Sequence, residues 1–254
     1  MMDYSKLLQA ILDIAEEMLV CGAEVSRVED SIERMCGAYG CTRVNAFIIT
    51  SNIQVTMEDP DGNIVTQIRR IIRSDVDFDK LDYLNDLSRY ICADKPDVKK
   101  VREEFDRVMS RNNYPGWVVS LGAALVAGGF AVFFGGNLID GVASALLGIA
   151  ILAMIRFMKR YEKNQLAMMF VISFLSGLIT IVMMHIGIGD HQDKIMIGGI
   201  MLLIPGIAMT NSIRDMLTGD IVTGMLRLVD SILRAAAIAC GFALSLMITG
   251  GGML

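Results

Sequence analysis

Apolar positions keep two different rhythms in the first 112 residues, and then lose rhythm altogether. Over 4–19, Leu7, Leu8, Ile11, Leu12, Ile14, Ala15, Met18 and Leu19 recur at helical spacing. Gly22 interrupts the run, and Val25, Val28, Ile32 and Met35 continue a second helical face that ends near Gly37 or Gly40. From 42 to 57 the pattern shortens to that of strands, with Val44, Phe47, Ile48, Ile49, Ile53 and Val55 as the apolar positions. Asp59-Pro60-Asp61-Gly62 is a turn, and 64–72 is a further strand, so a hairpin is expected. Two more helices are expected over 77–92 and 96–110, with Pro96 in the first turn of the second. The first domain, 1–114, therefore reads as α+β.

Beyond Tyr114-Pro115-Gly116 the apolar residues run on without a polar face. A helix crosses the hydrocarbon of a bilayer with about 20 apolar residues, because unsatisfied backbone groups there cost several kcal/mol each. Charge-poor stretches place five spans in 115–254, at about 117–134, 138–158, 166–186, 195–213 and 228–249. The predicted fold is a membrane bundle of about five transmembrane helices behind an N-terminal α+β domain. Pro205-Gly206 interrupts the fourth span, and Arg234 lies inside the fifth. Gly122, Ala123, Ala127, Gly128 and Gly129 crowd the first span, while Gly198 and Gly199 open the fourth, as expected where helix backbones approach closely in lipid.

Charge then orients the chain. Residues 1–115 hold 15 Lys+Arg against 21 Asp+Glu, a net charge of −6, and the remainder holds 8 against 7. An acidic first domain excludes a nucleic-acid partner, which needs a basic face. Lys99, Lys100, Arg102, Arg107 and Arg111 precede the first span, and Arg156, Lys159, Arg160 and Lys163 lie between the second and third. Only Lys194 lies between the third and fourth spans, and the first connection has no basic residue. This alternation predicts a cytoplasmic N-terminus and an outside C-terminus, in a bacterial plasma membrane. The N-terminus shows no secretory signal. Five Cys residues (Cys21, Cys36, Cys41, Cys92, Cys240) include no CxxC pair, so reduced thiols are expected, with no metal site and no cofactor.

Ionisable residues near hydrocarbon carry the candidate chemistry. Pro205 removes a backbone donor and Gly206 relaxes the helix, so the freed carbonyls and amides form a place to hold a solute. Thr210 and Arg214, Asn211 and Asp215, and Asp230 and Arg234 are each four apart, on common helix sides, and Arg227 falls with the last pair. The substrate-binding set is thus Pro205, Gly206, Thr210, Asn211, Arg214 and Arg234, with an arginine taking a substrate carboxylate. Asp215, Asp230 and Arg227 form the proton-coupling or charge-pairing set. A plainer reading places Arg214, Asp215 and Arg227 at the cytoplasmic water boundary, where they only enforce topology. Glu24 and Arg27, three apart, face one another on the second helix. His185, His191, Asp190 and Asp193 flank an outer loop, read as solvated, with a weak metal site or a proton entry as the other readings. No nucleophile–base pair is identifiable, so no catalytic residue is expected.

Two patches resemble the threonine/serine exporter family. The first is Cys21-Gly22-Ala23-Glu24-Val25-Ser26-Arg27-Val28-Glu29-Asp30, followed by a helix ending in Ala38-Tyr39-Gly40; Gly22, Glu24, Arg27 and Glu29 are its motif residues. The second is Pro205-Gly206…Thr210…Arg214-Asp215…Gly219-Asp220…Gly224…Arg227. The resemblance implies secondary active, proton-driven antiport that exports small hydrophilic metabolites, either threonine and serine or a dicarboxylate such as succinate. Fused members of that family carry about twice as many spans as this chain. The resemblance therefore implies a second, smaller membrane subunit as partner, with a homo-oligomer as another possibility. The alternatives are a membrane-anchored hydrolase and a ligand-sensing or scaffolding subunit, each working through the first domain.

Overall fold

The computed structural model describes residues 2–73, 75–111, 114–162 and 164–248. Asn112, at the start of the charge-free stretch, Lys163, read above as a topology-setting charge, and Thr249, the expected end of the last span, lie outside them, as does the C-terminal end. Among the described residues the chain is mostly helical and forms two compact units, Met1–Asn112 with Ile207–Leu228, and Asn113–Gly206 with Val229–Leu254.

The first unit is built around α1 (Tyr4–Val20), whose expected apolar face is buried throughout. Asp3 caps it by accepting from the Lys6 amide. Around α1 pack α2 (Val25–Ala38), a three-stranded sheet, α3 (Phe78–Asp94) and α4 (Val98–Met109). The sheet is an antiparallel meander of β1 (Thr42–Ile49), β2 (Asn52–Glu58) and β3 (Ile64–Arg70), in the order β1-β2-β3. Alternation along β2 turns Ile53, Val55 and Met57 into the core, as strand geometry requires. Pro96 sits before the cap of α4 rather than in its first turn: Asp97 is the cap, and its carboxylate accepts from the Lys100 amide. Two further elements complete the unit, α9 (Gly206–Thr218) from Ile207 onward and the start of α10 (Ile221–Ile248).

The second unit holds α5 (Gly116–Phe133), α6 (Leu138–Met158), α7 (Gln165–His185), α8 (Gln192–Ile200) and residues 229–248 of α10. Its core is Ala143, Leu147 and Ile151 of α6 with Met168, Ile172, Ile195, Ile238 and Phe242 from α7, α8 and α10. Large apolar side chains also cover its outside: Leu125 is 67% exposed and Phe133 77%. Helix contacts run through small residues. A Cβ on Gly128 would lie 2.8 Å from the Gly141 carbonyl oxygen, and one on Gly198 would lie 2.3 Å from that of Ala127. Gly122 and Gly129 face open space instead.

Among the described residues four helices are long and apolar enough to cross a bilayer: α5, α6, α7 and α10. The segment read as a single fourth span is two shorter helices, α8 and α9, separated by a turn at 201–203 and by Pro205, which has no N–H to continue the ladder. The last helix begins at Ile221, ahead of the expected start at 228. Arg227 and Asp230 limit how deeply a helix sits in hydrocarbon, but they do not stop it from being a helix.

Candidate functional site

Two helix hairpins in the first unit end on the same backbone device. Helix α1 closes with Gly22 at φ +101°, the Gly22 amide donating to the Leu19 carbonyl and the Ala23 amide to that of Met18. Helix α9 closes with Gly219 at φ +108°, the Gly219 amide donating to Met216 and the Asp220 amide to Asp215. Both are left-handed C-terminal caps that only glycine adopts without strain. Each turn delivers the chain directly into the next helix, α2 or α10.

The two hairpins meet through a polar clasp. The Asn211 amide donates to the Gly22 carbonyl at 3.1 Å, and Arg227 donates to the Ala23 carbonyl at 3.2 Å. Asp215, fully buried, accepts from the Val25 amide at 3.4 Å and pairs with Arg227 at 2.9 Å. Val25 is the first residue of α2, and Glu24, its N-cap, makes no side-chain cap. Asp215 thus brings a carboxylate to an N-terminus where free N–H groups and the helix dipole favour negative charge. The Glu24 side chain pairs with Arg214 at 2.5 Å, not with Arg27 as their spacing had implied. Deeper in the first unit, Thr223 donates to the Ile48 carbonyl at 3.2 Å.

Glu29 stands one turn into α2. Partial burial, followed by the nearby carboxylates of Asp220, Glu33 and Asp215, pushes it up to about 7. It is the group in this neighbourhood whose charge changes near neutral pH.

Asp230 and Arg234 belong to the second unit and pair with each other at 2.7 Å. Nε of Arg234 is buried and has no hydrogen-bond acceptor among the described residues. Pro205 lies in the break between α8 and α9, Gly206 begins α9, and Thr210 is on its second turn. The predicted charged cluster is therefore divided, with Asn211, Arg214, Asp215 and Arg227 in the clasp and Asp230 with Arg234 elsewhere.

The two histidines also separate. His185 bonds the Ile181 carbonyl of its own helix, and Asp193 pairs with Lys194. His191 instead meets Asp140, whose buried carboxylate accepts from the amides of Asn137, Asp190 and His191 and contacts the His191 ring at 2.8 Å. Sequence reasoning passed over Asp140. Its signal was the spacing Asn137-x-x-Asp140, which forms a reciprocal capping box at the start of α6.

The profile of a family described as "Putative threonine/serine exporter" matches residues 9–249. A "Probable threonine/serine exporter" of Mycobacterium tuberculosis is 27% identical over 98% of this chain and 47% of its own length. A "Threonine/serine exporter" of Corynebacterium glutamicum is 24% identical over 93% of this chain and 50% of its own length. A "Probable succinate transporter subunit YjjP" of Klebsiella aerogenes is 24% identical over 92% of this chain and 90% of its own length. The chain thus spans about half the length of the two exporters. No solved structure matches. With a profile match over nearly its whole length, four long apolar helices and both motif patches in place, this chain belongs to the threonine/serine exporter family of membrane transport proteins.

Proposed function

We propose that the chain is one half of a proton-coupled secondary exporter of small hydrophilic metabolites, either threonine and serine or a dicarboxylate such as succinate. A second membrane half of the same family completes it. The observation that carries the reading is the clasp, in which residues of both family patches pair with one another across about 190 positions of sequence. The relatives' names support the substrate classes, and the half-length match to the two exporters supports a second half.

The chemistry is an exchange of carboxylates. The Arg214–Glu24 pair is solvent-accessible on the arginine side, and exposed pairs are held by only about 0–1 kcal/mol. A substrate carboxylate displaces Glu24 from Arg214, because a guanidinium fork accepts either carboxylate equally well. Glu29, on the same helix as Glu24, takes up a proton, its carboxyl being pushed up to about 7. Asp215, fully buried, pairs with the partly buried Arg227 and keeps the two hairpins together during the exchange. Arg234 offers its unsatisfied N–H as a second anchor, and Asp230 balances its charge.

Parity supports a fifth crossing. The first unit faces the cytoplasm, in keeping with Arg107 and Arg111 before α5 and Arg156, Lys159 and Arg160 after α6. Helices α5, α6 and α7 then end outside, yet α10 starts within the first unit. The segment from α8 to α9 would then return, with Ile195, Met196, Gly198 and Gly199 of α8 buried in protein and Leu203 buried at the break.

The test is reconstitution into vesicles, with and without the candidate second half, following counterflow of labelled serine, threonine and succinate under an imposed pH gradient. Export that needs the pH gradient and is lost in Arg214→Ala supports the reading. Parental rates in Arg214→Ala, and in Asp230→Ala with Arg234→Ala, overturn the assignment of these residues.

A further inference from the structure

In the first unit, α2 and α3 leave a polar groove of about 510 Å³ between them. Arg27, Asp30 and Arg34 line it from α2, and Asn85 and Arg89 from α3. Positions 27, 30, 31 and 34 share one helix side, as do 85, 88, 89 and 92, so the groove is set by the two helix registers and not by a loop. Its charge is opposite to that of its surroundings. The segment 1–115 carries net −6, yet the groove gathers three guanidinium groups against one carboxylate.

That carboxylate, Asp30, is taken by Arg34 at 2.8 Å. Arg89 has only a loose pair with Asp86 at 3.7 Å, exposed on both sides and therefore weak in salt. Arg27 has no ion-pair partner among the described residues. Ser31 and Ser88 spend their hydroxyl protons on the Arg27 and Asn85 carbonyls of their own helices, which leaves the guanidinium groups as the groove's charged donors, beside the Asn85 amide. Planar guanidinium forks are matched by carboxylates and phosphates, each able to accept two parallel N–H bonds. No aromatic ring lines the groove to stack a base.

We propose that this groove is a binding site for a small dianion, a dicarboxylate or a diphosphate, with Arg27 and Arg89 gripping it from opposite helices. The site is separate from the Glu24–Arg214 exchange and does not depend on transport. Arg27 projects from α2 within the first family patch, so occupancy is positioned to be felt at Glu24 and Glu29 on the same helix.

The experiment uses the full chain in detergent at low ionic strength. Binding is followed by titration calorimetry and by thermal shift with pyrophosphate, succinate and, as a monoanion, acetate, each against chloride of equal ionic strength. Binding of pyrophosphate, of succinate or of both, at least tenfold tighter than acetate, supports the site, and the arm that binds identifies the anion as phosphate or carboxylate. Arg27→Ala and Arg89→Ala should each weaken binding at least tenfold, with partial recovery in Arg27→Lys, while Arg102→Ala, at an exposed arginine outside the groove, leaves it unchanged. Dianions no better than chloride, or binding that survives in the Arg27→Ala/Arg89→Ala double variant, overturns the proposal. Dianion binding lost only in Arg214→Ala overturns it too, and assigns the anion to the transport site.

Discussion

The two units solve opposite solvent problems with the same helix geometry. In the first, α1 turns Leu7, Leu8, Ile11, Leu12 and Ile14 inward, and most of the charged residues lie outside. In the second, the closest helix contacts run through small residues such as Gly128, Ala127 and Ser144, and large apolar residues cover the exterior as well as filling the core. Water expels apolar surface, so its protein hides it. Lipid is as apolar as leucine and provides no such drive, so contacts there are won by close backbone approach. The clasp lies at the water-adapted end of this contrast, in the first unit. There the buried Asp215 pairs with Arg227 and also meets the helix-terminal Val25 amide.

The sharpest way to break the comparison is Asp215→Ala. It leaves Arg227 buried without its carboxylate and removes the acceptor for Val25, a loss on the order of 3–5 kcal/mol. Thermal unfolding of the purified protein in detergent should show it, and Asp215→Ala with Arg227→Met should recover part. A variant as stable as the parent would mean that the clasp does not hold the hairpins.

A paired truncation comes next. Ile11→Ala removes fully buried methyl groups from the first unit and should cost about 2–5 kcal/mol. Leu125→Ala, at an exposed position of the second, should change stability by less than about 0.5 kcal/mol. Leu125→Lys should instead reduce membrane insertion, by about 3 kcal/mol at the centre of a span. Equal costs for the two alanine variants would contradict lipid as the second unit's solvent.

Gly22→Ala acts on backbone alone. The left-handed φ of Gly22 strains any side chain, so a loss of about 1 kcal/mol is expected, along with a weaker clasp, read by proteolysis near residues 21–25.

The smallest effect is the pH dependence contributed by Glu29. Its carboxyl is raised from 4.5 to about 7, so between these values the folded protein binds more protons than the unfolded one. Stability contributed by this group is therefore full below about pH 4.5 and declines as pH rises through about 7. Glu29→Gln should flatten this part of the pH profile of thermal unfolding. An unchanged profile would remove Glu29 from the proton-carrying group.

Local pattern was enough for much of this. The 3.6-residue rhythm of 4–19 located α1 and its buried face, alternation over 42–57 located β1 and β2, and long charge-poor runs located α5, α6 and α7. Each of these depends on how a side chain meets its immediate solvent, which periodicity and composition encode directly. The family resemblance of 21–30 and 205–227 was legible for a similar reason, since both are contiguous motifs.

Tertiary structure decided who meets whom. Nothing within three or four residues of Glu24 indicates that its partner is Arg214, or that Asp215 caps α2 in place of a side chain from α2 itself. Spacing favoured Arg27, but an exposed i,i+3 pair contributes only tenths of a kcal/mol and yields readily to a better-placed charge. The same holds for α10: sequence placed Arg227 beside Asp230 and Arg234, while folding bonded Arg227 to Asp215 within the first unit. Sequence determined the elements and the solvent each was built for, because those are properties of neighbouring residues. The pairing of distant charges was settled only when packing fixed their desolvation and geometry, on which the strength of a charge pair depends.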